Sequence, residues 1–188
     1  MKSTSRLAGV IGASCALFFA GNSIARAQDP EPRETHQLSF KIGAFTPTQG
    51  VLRNDSGTPF VALGVEYDPN LRFKLFGGGR VVLGGDIYYR TSAGRKYLIV
   101  PITVKTLWNL TNAESRFHLY GGIGAGLYFI NTGFVGGTTQ LGAKFIAGLD
   151  ITEKVFAEIN YDYIGGFSDN LGRGVRADGI TFWLGIRR

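Results

Sequence analysis

Glu158 and Asp162 stand four residues apart, and a pair of carboxylates is a common tool of acid/base chemistry. Their surroundings point elsewhere. From Lys154 to Tyr163 the chain alternates, with Val155, Ala157, Ile159, Tyr161 and Tyr163 set against Phe156, Glu158, Asn160 and Asp162. Successive side chains of a strand point to opposite faces, so this is a strand with one apolar and one polar face. Four residues along it span about 13 Å, too far for an acid/base dyad. Two carboxylates and an amide on one face need partners if they are buried. Cations on other strands can supply them, and Lys105, Lys144, Arg90 and Arg187 are the expected partners. Together with Asp86 and Arg116 they make an expected structural ion network of Asp86, Arg90, Lys105, Arg116, Lys144, Glu158, Asp162 and Arg187.

Other chemistry finds no matching residues. The two histidines are His36 and His118, and neither sits in a nucleophile–base arrangement. His118 reads as a structural histidine beside Arg116. Cys15 is the sole cysteine, so thiol chemistry and disulfides are not expected of the rest of the chain. No spaced His or Cys pairs suggest a metal site. Ser168-Asp169-Asn170 has a calcium-loop flavour but is ordinary turn chemistry. The glycines between Gly121 and Gly126 open no helix, which argues against a phosphate cradle. Asn109-Leu110-Thr111 fits a glycosylation sequon and carries no weight. The expectation is a chain without catalytic residues, cofactor or metal.

The N-terminus explains where the chain goes. Lys2 and Arg6 precede an uncharged stretch from Leu7 to Ala20, and Ala25-Arg26-Ala27 follows as a small-x-small cleavage site. This is the layout of a secretory signal peptide. Its apolar part is short for a spanning helix of about 20 residues, the rival reading. Cys15 follows Gly12-Ala13-Ser14, but no Leu stands three positions upstream as lipid attachment would require. Cleavage after Ala27 removes Lys2, Arg6 and Arg26 and no acid, which halves the formal charge of +6. No cluster of Lys/Arg with interleaved aromatics suggests nucleic acid. The expected plan is a signal over 1–27, a periplasmic leader over 28–37 and one domain over 38–188.

Eight strands are expected in that domain, and no sustained helical period interrupts them. They run from Leu38 to Thr46, Phe60 to Tyr67, Gly79 to Arg90, Lys96 to Leu107, Arg116 to Ile130, Thr138 to Ile151, Lys154 to Ile164 and Asp178 to Arg187. Charges recur in mid-strand opposite the apolar face: Asp86 opposes Val81, Leu83 and Ile87; Lys105 opposes Val100, Ile102 and Val104; Lys144 opposes Ala143 and Phe145. A soluble barrel puts the apolar face inside, whereas a membrane barrel turns the same pattern inside out. Strands of about 10–14 residues match a tilted crossing better than the usual 5–6. Aromatics near strand ends (Tyr67, Tyr88, Tyr89, Trp108, Tyr128, Phe129, Tyr161 and Tyr163) suit interfacial girdles. Inner turns are expected near 68–76, 109–115 and 152–153, with outer loops over 47–59, 91–95, 131–137 and 165–177. Unequal connections of this kind are the norm in such barrels. A loop-rich soluble sandwich is the rival fold.

Leu98-Ile99-Val100-Pro101-Ile102-Thr103-Val104-Lys105, followed by Phe117-His118-Leu119-Tyr120-Gly121-Gly122-Ile123-Gly124-Ala125-Gly126-Leu127-Tyr128-Phe129, resembles the small outer-membrane barrel domains of the OmpA, OmpX and OmpW type. The resemblance covers most of the chain after the signal and concerns architecture. It implies an all-β, eight-stranded antiparallel up-and-down barrel in the outer membrane of a Gram-negative-type envelope. Its implied partners are outer-membrane lipid and the barrel assembly machinery. Barrels of this type end in an aromatic residue, whereas this sequence ends Gly185-Ile186-Arg187-Arg188, with Phe182 and Trp183 nearby. This departs from the terminal pattern that the assembly machinery of such barrels reads. An eight-stranded lumen is just wide enough for side chains to fill it. The expected role is non-enzymatic, as a monomer in envelope structure or surface-loop interaction. The alternatives are a narrow channel for small or hydrophobic solutes and a soluble periplasmic ligand-binding barrel.

Overall fold

The computed structural model describes residues 38–70, 78–111, 115, 117–132, 135–168 and 174–188. The expected signal and leader, Arg116, Asp169 and Asn170 lie outside the described residues. The strands are β1 (Leu38–Pro47), β2 (Phe60–Tyr67), β3 (Arg80–Ser92), β4 (Arg95–Asn109), β5 (His118–Thr132), β6 (Val135–Asp150), β7 (Val155–Ile164), β8 (Phe167–Ser168), β9 (Gly174–Val175) and β10 (Gly179–Arg187). One short helix, α1 (Gly50–Ser56), lies between β1 and β2. All eight long strands pair antiparallel with their chain neighbours, and β1 pairs with β10 to close the barrel. Closure leaves no edge with unpaired backbone groups.

The β1–β2 connection and the β7–β10 connection lie at one end of the barrel, the loop end, whereas both ends of the described domain and the equally long β2–β3 connection lie at the other, the turn end. Two of the expected outer loops are strand instead. Ser92 pairs with Arg95 across a two-residue turn, Ala93-Gly94, in which both residues have positive φ. That is the twist a tight antiparallel hairpin favours, and glycine accepts it without strain. β5 and β6 likewise run on to Thr132 and from Val135, with a register slip between Ile130 and Thr132. The loop expected at 47–59 contains α1, which a seven-residue segment is too short to announce by periodicity. The last loop carries the β8–β9 hairpin.

Alternation sets the two surfaces. Outward side chains such as Ile42, Leu63, Ile102, Phe145, Ile159 and Phe182 stand exposed around the wall. An unbroken apolar exterior of this extent suits hydrocarbon and not water. The soluble-barrel alternative required that face inside, and the structure corrects it. Among the described residues no helix is long and apolar enough to cross a membrane, which bears on helices alone. Tyr67, Tyr89, Phe129 and Tyr163 project outward near strand ends. Tyr88 and Tyr128 do not join that girdle, because their positions in the alternation turn them inward, fully buried.

Inside, two apolar layers cap a polar middle. The loop-end layer holds Phe45, Phe60, Tyr97, Ile99, Ile130 and Ile164, with Leu52 of α1 pressed into it and completely buried. Phe45 stacks on Tyr88 at 4.4 Å between ring centroids and meets Phe60 edge-on at 5.6 Å. The turn-end layer is Val82, Leu107, Tyr120, Ile146 and Phe156. Inward glycines make room for it. A Cβ on Gly148 would overlap the Tyr120 ring, and one on Gly84 would come within 2.6 Å of the Lys105 side chain.

Candidate functional site

Between the two layers, seven charged side chains from six strands converge. Lys41 (β1), Glu66 (β2), Asp86 (β3), Lys105 (β4), Lys144 (β6), and Glu158 and Asp162 (β7) are all buried. They form a chain of alternating sign across the lumen. Lys105 Nζ bonds to Glu66, whose Oε1 also accepts from Lys41 Nζ at 2.5 Å. Lys41 Nζ lies 3.4 Å from Glu158 and 3.6 Å from Asp86. Lys144 Nζ then bridges Asp86 at 2.7 Å and Asp162 at 3.2 Å. Opposite charges out of water persist only when paired and hydrogen-bonded in this manner.

Tyrosines complete the network. Tyr88 and Tyr128 donate to the two oxygens of Asp162 at 2.9 and 2.7 Å, and Tyr120 donates to Glu158 at 2.9 Å. The network has one more carboxylate than lysine, and these three hydroxyl donors fall on Asp162 and Glu158, both on β7. Lys41 sits 4.6 Å above the Trp183 ring, a cation–π contact. The Trp183 indole N–H donates to the Asn160 side-chain oxygen at 3.1 Å. Every carboxylate is thus engaged by a lysine. Among the described residues no cluster of three or more His, Asp or Glu could hold a metal ion.

The structure sorts the residues that the sequence singled out. Asp86, Lys105, Lys144, Glu158 and Asp162 meet in the lumen. Arg187 lies apart at the turn end, paired with Asp150 at 2.6 Å and with its guanidinium 4.5 Å over the Phe156 ring. Arg90 is a correction. It stands at the loop end, where its Nε donates to the Ser56 carbonyl at 2.6 Å and its Nη1 to that of Pro59 at 2.5 Å. Its strand position put it on the inward face, but the long side chain reaches beyond the lumen to hold the end of α1. Lys41 and Glu66 were missed, although Ser39-Lys41-Gly43-Phe45 and Phe60-Ala62-Gly64-Glu66 carry the same inward alternation. Applying to β1 and β2 the face assignment used for later strands would have found both.

Little space remains. At the turn end a cavity of about 10 Å³, reached past Ser39, Asp68 and Arg80, touches Glu66 and Glu158. It has room for about one water.

This arrangement, a closed eight-stranded wall apolar outside and ion-paired inside, can be set beside known proteins. No protein-family model matches the chain, and no curated protein matches it. Among solved structures, Neisserial surface protein A superposes with a TM-score of 0.52 at 13% identity, covering 81% of this chain and 95% of that one. The fold is that of the small outer-membrane barrels. The N-terminal β-barrel domain of Pseudomonas aeruginosa OprF (TM-score 0.44, 12% identity, 81% and 96% covered) also matches. So does the E. coli outer membrane protein W (0.44, 15%, 83% and 100%).

Proposed function

We propose that the chain is an exported, non-enzymatic, monomeric outer-membrane barrel whose lumen is closed. Its role on this reading is to hold the loop-end surface at the cell exterior, in envelope structure or surface interaction. The filled lumen carries the proposal: Phe45, Phe60, Tyr88, Tyr97, Tyr128 and Trp183 lie buried above and beside the ion network. A solute would have to break several buried ion pairs to pass. The apolar exterior supports a location in lipid, and the signal-like segment over 1–27 supports export, with the assembly machinery and outer-membrane lipid as partners. The carboxylates are all held by lysines or tyrosines, which supports a structural role for the lumen charges.

Two measurements test this reading. The protein should float with liposomes and shift its gel mobility between unboiled and boiled samples, whereas recovery in a soluble fraction without detergent would refute the membrane location. In planar bilayers it should show little steady conductance. Large, stable open-pore currents from the unmodified protein would overturn the closed lumen and put a channel in its place.

A further inference from the structure

Along the outer face of β4, Lys96, Leu98, Val100, Ile102 and Val104 follow one another. Ile102 and Val104 are 57% and 52% exposed, but Leu98 and Val100 are partly buried. The difference is a recess of about 150 Å³ in the outer wall, bordered by Leu98, Val100, Phe129, Asn131, Thr138 and Thr139. It opens where β5 and β6 slip register between Ile130 and Thr132. A bulge of that kind bends one strand away from its neighbour. An apolar space of this size holds a benzene-sized group, so about six carbons of a hydrocarbon chain would fill it.

What sits beside the recess selects its occupant. Lys96 points out of the same face two residues beyond Leu98, about 7 Å nearer the loop end. It is exposed, and no ion pair involves it among the described residues. Its neighbour Arg95 meets Asp55 at 3.5 Å. Tyr89, cross-strand from Leu98, is 42% exposed and marks the level at which aromatic side chains meet headgroups. An apolar slot running from that level toward the turn end, and above it a cation with no ion pair among the described residues, match the two halves of one molecule.

The geometry points to a binding site for an anionic lipid of the surrounding bilayer, with one acyl chain in the recess beside Val100 and the headgroup phosphate on Lys96. The site rests on the membrane-barrel reading above, since the wall must face lipid.

The test offers the folded protein matched mixed micelles of phosphatidylglycerol and phosphatidylcholine and counts retained lipid by native mass spectrometry. One phosphatidylglycerol should be retained in preference to phosphatidylcholine. Lys96→Gln should lower that preference about fivefold, the effect of one interfacial cation. Val100→Trp, which fills the recess, should abolish retention, while Ile102→Trp, outside it, should not. Excess glycerol phosphate should not displace the lipid. Equal retention of the two lipids, an inert Val100→Trp, or displacement by glycerol phosphate alone would each overturn the site. Flotation with phosphatidylcholine liposomes and heat-modifiability, run on every variant, report folding and membrane insertion separately. A failed membrane reading would appear there as loss of flotation.

Discussion

Lys144→Met is the sharpest test of the lumen network. The Lys144 side chain is completely buried, with Nζ 2.7 Å from Asp86, 3.2 Å from Asp162 and 3.0 Å from the Tyr88 hydroxyl. At an effective dielectric constant of about 20, the two ion pairs are worth about 6 and about 5 kcal/mol of attraction. Burying the ammonium opposes that by several kcal/mol, and methionine of similar length has no such cost. After substitution Asp86 keeps Lys41 at 3.6 Å, while Asp162 keeps, among the described residues, the Tyr88 and Tyr128 hydroxyls. Breaking a buried pair from one side costs about 3–5 kcal/mol. The two hydroxyl donors left on Asp162 put the expected loss near 3 kcal/mol. Guanidinium unfolding of the barrel in lipid vesicles, followed by the heat-modifiable band, measures it. Arg80→Met is the control: Arg80 pairs with Asp68 at 3.4 Å but its side chain is 42% exposed. A loss of less than about 1 kcal/mol is expected there, as for other exposed pairs. A Lys144→Met protein as stable as the control would refute the buried network.

Glu158→Ala removes the acceptor of the Tyr120 hydroxyl and one of the three carboxylates around Lys41. The same unfolding assay should record a loss of about 3 kcal/mol. Gly148→Val would drive a side chain into the Tyr120 ring, and overpacking of this kind costs about 1–3 kcal/mol. Near-ultraviolet circular dichroism should show the tyrosine environment changed while the barrel still forms. Ile159→Arg places a charge on the outward face, where Ile159 is 51% exposed. In a bilayer it should destabilise the barrel by about 2–4 kcal/mol if the position lies at the midplane. No loss would mean that this face does not meet hydrocarbon.

Much of the architecture is local in origin, and so it was readable. The alternation of Val155 to Tyr163 declares a strand and its two faces because side-chain direction in a strand has a period of two. The long strands, and the placing of Asp86, Lys105, Lys144, Glu158 and Asp162 on the face opposite the apolar one, follow from that rule alone. Alternation is the same for a barrel of either hand of polarity, however. Only the way the closed sheet curls, with the charged side chains buried and the apolar ones exposed, determines that the charged face is the concave, crowded one. Closure is also what brings Lys144 of β6 across the lumen to Asp86 of β3, 58 positions away in the chain. No spacing in the sequence encodes that meeting. Arg90 shows the limit from the other side: strand parity gave its direction, but the reach of a long side chain at a strand end carried it to α1. α1 itself is too brief for a periodic signal, and its place comes from Leu52 sealing the loop-end layer. By itself the sequence determined the eight long strands and their two faces. The tertiary structure decided which face is inside and which charges pair, because both depend on contacts between segments far apart along the chain.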